Sequence, residues 1–378
     1  MKSYIGKLTD ELNDFFGTGS IASHEGFPVN TFSELQEQMA RLSCLNKSSV
    51  LYYRGQKRDY KAEGSQKSSF YPTIYRGRLT SDEKERRWHQ LDYASKKLVE
   101  YLPSANLKSS LKLIERKNLL QWSILQHYEV VPTPLIDVTQ SLRVACSFAL
   151  MDNPVGEGED RAYVYAFALP YVNHRISIDS EEYLTTIRLL SVAPPEARRP
   201  YHQEGFLVGE DFIQKDYVAK EELDLNNRLV AIFTIPKNDS FWNIESKMKK
   251  SVLYPENDVV ENVCNRIREE VNRVFTHSGE HNISDYISTP EFMSFISHWI
   301  TIENVLRAVS GKQNDTKTPI SNIIKEVPLT ESLRKRLLNT NRVRNIVVHD
   351  PTKFKPYMAS IMKDVATLEY DLKTEVGW

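Results

Sequence analysis

From Glu256 onward the apolar residues fall into a single rhythm. Val259, Val263, Ile267, Val271 and Val274 recur every three or four positions with charge between them, the spacing of one face of an α-helix. Beyond Thr289-Pro290, an N-cap type followed by a proline suited to the first helical position, Phe292, Ile296, Trp299, Ile302, Leu306 and Val309 keep that spacing until Gly311. Residues 330–349 and 357–372 continue it, the latter with Met358, Ile361, Val365, Leu368 and Leu372 on one side. The pattern predicts an all-α bundle of about 90 to 120 residues at the C-terminal end.

Upstream the rhythm changes. A short apolar and aromatic run ends at Arg54-Gly55-Gln56, and residues 162–169, 205–208 and 229–235 are rich in β-branched and aromatic side chains, as strands are. Between them residues 80–101 carry helical spacing, and residues 141–150 begin with Ser141, a good N-cap. The 378 residues exceed the roughly 100 to 200 of one domain. The expected organisation is a helical extension at 1–48, an α+β domain at 49–240 with strand order open, a helical connector at 241–288, and the bundle at 289–378.

Composition narrows the function classes. Against 49 Lys and Arg stand 50 Asp and Glu, so a protein that coats nucleic acid by bulk charge is excluded, while local basic clusters such as Lys247-Met248-Lys249-Lys250 and Arg198-Arg199 remain as solvated surface or as aids in holding an RNA backbone. Cys44, Cys146 and Cys264 are isolated, so neither a disulfide framework nor a paired-thiol zinc site can be written, and a reducing cytoplasm is the expected location. Nothing approaches ~18 uninterrupted apolar residues, so no membrane role is expected. The chain holds no phosphate loop with Gly-Lys-Ser/Thr, no histidine pair spaced for zinc and no Gly-x-Ser-x-Gly elbow. Kinase, ATPase, metalloprotease and esterase chemistry therefore lack their residues, and no metal is expected.

Two clusters carry chemistry. Residues 341–350 (NRVRNIVVHD) place Arg344-Asn345 five and four positions before His349, near a predicted helix end set by Pro351. Five residues separate Arg344 and His349 by roughly 140° around a helix, which suits lining a cleft rather than gripping one atom. An arginine holds phosphate with a fixed fork and a histidine moves a proton near neutral pH; the plain alternative is a solvated arginine, a bonded asparagine and a capping histidine. An arginine, a polar residue, three residues and a histidine late in a helical domain resemble the HEPN superfamily, with the upstream helix of Trp299 and Glu303. That resemblance, over about 289–378, implies a metal-independent endoribonuclease acting as a dimer, Arg344 orienting phosphate, His349 moving the proton and Asn345 beside them. It needs no cofactor, and its partners are RNA, a second copy through the C-terminal domain, and a neutralising or sensing protein.

The second cluster is scattered: Tyr53-Arg54-Gly55-Gln56; residues 71–76 (YPTIYR); Gln126-His127-Tyr128 leading into residues 132–139 (PTPLIDVT) and residues 144–149 (VACSFA); and Gln203-Glu204-Gly205-Phe206. Together these resemble the FRG family over about 49–236. Tyr53 replaces the naming phenylalanine, Pro134 stands where a basic residue is common, and Val138 where an aromatic is common. The order of motifs is in turn similar to ADP-ribosyltransferases, an analogy that makes the fold ADP-ribosyltransferase-like and sets NAD as the alternative cofactor. It implies Arg54 on the dinucleotide phosphates, Thr139 at the nicotinamide ribose and Gln203 or Glu204 beside the reacting centre, with Gln56 and His127 completing the lining. The structural alternatives are a strand-end Arg54 paired to Asp137, Thr139 and Ser141 capping the next helix, and His127 as a satisfied core residue. The expected protein is an intracellular toxin or antiviral effector: an FRG-like domain that senses or modifies, and an HEPN-like domain that cuts RNA. The alternatives are ADP-ribosyl transfer by the first domain, with the second as dimeriser or sensor, and an interaction protein without chemistry.

Overall fold

In a computed structural model of the chain, the described residues are 1–62, 64–77, 79–105, 107, 111–153, 160–211, 213, 221–242, 247–276, 290–313, 315, 317–349 and 358–378. They divide into two units, Met1–Arg268 and Glu269–Trp378.

Within the described residues the first unit holds one mixed sheet of eight strands: β1 (Phe27–Pro28), β2 (Val50–Gln56), β3 (Ile136–Thr139), β4 (Arg161–Leu169), β5 (Ile176–Asp179), β6 (Leu184–Arg188), β7 (Gly205–Gly209) and β8 (Leu229–Pro236). Their order across the sheet is β1-β8-β4-β2-β3-β7-β6-β5. Only β1 and β8 run parallel; every other neighbouring pair is antiparallel. The central strands β4 and β8 are buried along nearly their whole length, because both faces of the sheet are covered. Such strands are near-continuous hydrophobic runs rather than alternating ones.

One face is covered by α1 (Asp10–Phe16), α2 (Phe32–Leu45) and, further along the chain, the helix Leu142–Leu150. There Leu12, Phe16, Phe32, Leu35 and Met39 pack with Ala145, Cys146 and Ala149 on Leu51, Val164, Ala166 and Phe233. The other face buries Tyr52, Phe70, Ile136, Val138, Tyr165, Phe167 and Phe206. Residues 1–48, expected as a helical extension, are thus integral to the first unit: β1 lies in the sheet, and α1 and α2 supply core. A two-residue strand such as β1 leaves no periodic trace in the sequence.

Next come α3 (Ser81–Tyr101), α4 (Lys112–Arg116), α5 (Asn118–His127) and α6 (Leu142–Leu150). The first of these starts with a capping box, Thr80 accepting from the Glu83 N–H while the Glu83 carboxylate takes the Thr80 N–H. Short helices α7 (Leu189–Val192), α8 (Arg199–Gln203) and α9 (Lys250–Leu253) precede α10 (Val259–Thr276). The buried line of α10 is Val260, Cys264, Ile267, Val271 and Phe275. The expected period holds, but the face is turned by one residue, because Cys264 and Phe275 outcompete the smaller valines for the interior.

The second unit is helical: α11 (Pro290–Val309), α12 (Ile320–Glu326), α13 (Glu331–His349), α14 (Met358–Lys363) and α15 (Val365–Val376). Its core includes Phe295, Trp299, Ile302, Leu306, Ile323, Leu337, Val343, Val347, Leu368 and Leu372. Polar ties join its helices at the rim, His298 to Glu369 at 2.7 Å and Arg336 to Asp371 at 2.5 Å. Val309, expected inside, is exposed, and Phe295 takes the inward place expected of Phe292 and Ile296. Among the described residues no helix is long and apolar enough to cross a membrane.

Candidate functional site

The strands β2 and β3 part where chemistry gathers. Their ladder has a single register pair, Tyr53 opposite Thr139, although β2 pairs with β4 along all seven of its residues and β3 with β7 along all four. Beyond Tyr53 no further register pair joins the C-terminal end of β2 to the N-terminal end of β3. Gly55 sets this geometry from behind. A Cβ there would stand 1.8 Å from the Ala145 carbonyl oxygen, so only glycine lets α6 lie directly on the strand. Side chains alternate along a strand, so with Gly55 turned to α6, Arg54 and Gln56 occupy the opposite face of the sheet.

Arg54 fills the split. Its Nη1 donates to the main-chain carbonyl of Asp137 at 2.6 Å, a carbonyl that an unbroken ladder would have paired with β2. The expected ion pair with the Asp137 carboxylate is therefore a hydrogen bond to its backbone. That carboxylate, 37% exposed, is held from the α5 side. Gln126 Nε2 donates to Oδ2 at 2.7 Å and His127 Nδ1 stands 3.4 Å from Oδ1. Gln126 is fixed in turn by the hydroxyls of Thr133 and Thr73, which donate to its Oε1 at 2.5 and 3.3 Å. Burial alone would raise the Asp137 pKa, but the bonds from His127 and Gln126 and the charge of Arg54 hold it below the usual range. Asp137 is thus an ionised, oriented carboxylate tied to the end of α5.

His127 is 97% buried by side chain, and burial pushes its pKa below the ordinary value despite Asp137 beside it. Its Nε2 has no hydrogen-bond partner among the described residues. Gly205 leaves room for the ring: a Cβ there would lie 3.2 Å from His127 Cε1. Arg76 ends the block whose Thr73 bonds Gln126. Its short helical turn, Thr73–Tyr75, is bound to Thr133 through Ile74 N–H at 3.1 Å, and Nε donates to the Tyr71 carbonyl at 2.8 Å. Burial and the nearby Arg54 charge push the Arg76 pKa down to about 10, and burial lowers that of Arg54. Among the described residues neither arginine has a carboxylate within ion-pair distance.

The remaining expected positions divide. Thr139 is on the strand next to Arg54 but on the other face, and its hydroxyl is used: it donates to the carbonyls of Gln203 and Glu204, each at 3.1 Å, and accepts the Ser141 N–H that opens α6. Ser141 is the N-cap of α6 but makes no side-chain cap bond, so neither side chain caps the helix as the structural alternative had it. Gln203 is buried with Nε2 on the Leu253 carbonyl at 2.9 Å. Glu204 is exposed at a left-handed backbone position (φ 46°) that turns α8 into β7. Gln56 lies on the Arg54 face, and its Oε1 is buried without a partner among the described residues. The structure therefore puts Arg54 and Gln56 on one face of the sheet, and Thr139 with His127 packed against its register partner Gly205 on the other, with Gln203 and Glu204 in the turn that enters β7. Asp137, which ties β3 to α5, and Arg76 were not among the expected site residues. A carboxylate inside an apolar strand block (PLIDVT) and an arginine closing YPTIYR were the available signals.

In the second unit α13 turns inward at Val343 and Val347 and outward at Asn345 and Val348. Arg344 is half-buried and its Nη1 donates to Asn345 Oδ1 at 3.1 Å. The helix runs on to His349, whose side chain, like Asp350 and Pro351, lies outside the described residues. Thr289 and Tyr357 also lie outside them. Trp299 is core, and Glu303 pairs with Arg307 one turn on at 2.7 Å. Among the described residues no cluster of histidine, cysteine and carboxylate side chains is arranged to hold a metal ion.

The FRG domain family model matches residues 49–157. The matched stretch begins just before β2 and carries the Arg54-Gly55 pair, the Gln126–His127 end of α5, Asp137, Thr139 and α6. The expected reach to residue 236, with Gln203 and Glu204, extends beyond it. No curated protein matches the chain, and no solved structure does.

Proposed function

We propose that this protein is an intracellular effector whose C-terminal helical unit cleaves RNA without a metal, under the control of an FRG-domain unit that senses or modifies. The observation that supports it is the placement of Arg344 and Asn345 on the last turns of α13, bonded to one another and reaching the surface, on the helix that continues through His349. An arginine beside the scissile phosphate stabilises charge on the non-bridging oxygens, and a histidine takes the proton of the 2'-hydroxyl as it attacks phosphorus. The leaving 5'-oxygen is then protonated by an acid. The products are a 2',3'-cyclic phosphate and a 5'-hydroxyl.

The test compares wild type with His349→Ala and Arg344→Ala on a single-stranded RNA in EDTA. Wild type is expected to cut and leave cyclic phosphate ends, with each variant slowed at least a hundredfold, the scale of a lost acid–base group. Equal cleavage by all three, or none by any, removes the reading.

A further inference from the structure

The sheet of the first unit ends in an open edge. Among the described residues β5 pairs only with β6, in a register that runs from Ile176 opposite Ile187 to Asp179 opposite Leu184. The Arg188 N–H donates to the Arg175 carbonyl at 3.0 Å. The peptide groups of Arg175, Ser177 and Asp179 therefore turn toward β6, and those of Ile176 and Ile178 turn outward. An unpaired row of N–H and C=O groups is a template for another strand. No proline or lysine stands in residues 175–179 to blunt it. Apolar surface gathers beside it: Ile178 is 58% exposed, and Tyr171, 56% exposed, lines the same groove as Ile176 and Ile178.

We infer that β5 docks on β5 of a second copy, antiparallel, with Ser177 on the two-fold axis. Residues 175–179 (RISID) are complementary to their own reverse. Turned about Ser177, Ile176 of each strand meets Ile178 of the other. These are the residues whose peptide groups face outward, so every edge N–H and carbonyl of the two strands finds a partner, whereas a slide by one residue sets outward groups against inward ones. In the same register Arg175 of each strand meets Asp179 of the other at a non-hydrogen-bonded pair, where side chains stand closest and opposite charges attract. Arg175 is exposed and has no ion pair among the described residues. Asp179 is oriented at the strand end, its Oδ1 accepting from the N–H groups of Glu181 and Glu182 at 3.1 and 3.0 Å. This order, a positive end, an isoleucine pair and a negative end, selects the strand's own copy as the occupant. The pairing is independent of RNA cleavage by the second unit.

The contact spans one short strand a side, well under the roughly 1,200 Å² that a stable pair buries, so it fills where chains are gathered and is read by trapping. In this register the two Ser177 Cα atoms stand about 4.5 Å apart, within disulfide range. The test takes the full chain as Cys44→Ser/Ser177→Cys under mild oxidation, since Cys44 is exposed and Cys146 and Cys264 are buried. A covalent dimer through residue 177 is expected. Tyr183→Cys in the same background, 53% exposed but away from the axis, should give several times less. Arg175→Glu sets like charges at both ends and should lower the trapped yield about fivefold or more, while Arg175→Lys keeps most of it. Sedimentation of the chain with Ser177 intact, up to about 1 mM, is the second readout: average mass should rise less steeply with concentration in Arg175→Glu than in wild type. Absence of the Ser177→Cys dimer, as when a foreign strand covers the edge, an equal yield from Tyr183→Cys, or indifference of both readouts to Arg175→Glu, each overturns the assignment.

Discussion

At the scale of single residues, Gly55 and His127 carry opposite kinds of constraint. Gly55 is required by an absence: any Cβ would enter the Ala145 carbonyl at 1.8 Å, so β2 and α6 would have to part across a core of Ala145, Cys146 and Ala149. Gly55→Ala is expected to lower stability by about 3 kcal/mol or more, at the upper end of overpacking costs, measured by urea unfolding; a loss under about 1 kcal/mol would mean that the helix shifts freely. His127 is constrained by burial, which keeps it neutral. Because its folded pKa lies below the unfolded value, the unfolded chain binds the extra proton as pH drops through about 6.5, and stability falls from there toward the depressed folded pKa. Asp137 acts lower: its depressed pKa contributes stability above the unfolded carboxylate value, which is lost as pH falls through the folded one. Between pH 7 and 5 the wild-type chain should therefore lose stability as the pH falls. His127→Gln should flatten that stretch, and an unchanged slope would show that His127 protonates without penalty.

At the scale of elements, one aspartate organises the start of α10. Asp258 is buried; its Oδ1 accepts from Val260 N–H at 3.0 Å and Glu261 N–H at 3.3 Å. Its Oδ2 takes the Tyr128 hydroxyl and the N–H groups of Arg198 and Arg199 at 2.8 to 2.9 Å. The cap of α10, the start of α8 and the end of α5 thus share one side chain. Asp258→Ala strands several buried donors at once and should cost about 3 to 5 kcal/mol, whereas Asp258→Asn, which keeps one acceptor, should cost visibly less; thermal unfolding of the two decides it. None of this was legible in the sequence, because Asp258 in PENDVV looks like an ordinary cap, and its distant partners meet it only through the fold. What was legible were long elements with a local signature. The helical run to Tyr101, the strand-like runs 162–169 and 229–235, and the helical periods after Glu256 all follow from neighbours in sequence. The strands β1, β5 and β6 are short and take their shape from pairing, and the faces of α10 and α11 were off by about a residue because large side chains, not the mean of the pattern, choose the interior. At the site, Arg54 and His127 were legible as polar residues in apolar blocks. The parting of β2 from β3 was not, since it depends on where a ladder stops.

For the whole molecule the remaining question is how many copies make a cleavage site. Arg344 and His349 are five residues apart on α13, so one helix turns them about 140° away from each other, and a single copy offers half of a phosphate cleft. A two-fold pairing through this face sets two such helices across one groove, each supplying what the other turns away. Val348, on the outward side of α13 with Asn345, is an apolar side chain left 43% exposed beside that motif. The full chain is therefore expected to sediment as a dimer at concentrations of about 100 μM, where even a weak association is populated. Val348→Asp places a charge in that contact without touching the buried Val343 and Val347. It should shift the chain toward monomer and lower RNA cleavage in proportion, and mixing the inactive Arg344→Ala and His349→Ala chains should restore activity in the heterodimers that pair one intact arginine with one intact histidine. A strictly monomeric wild type at that concentration, or a Val348→Asp monomer that cuts RNA at the full rate, would leave the composite cleft without support and place the whole reaction on one chain.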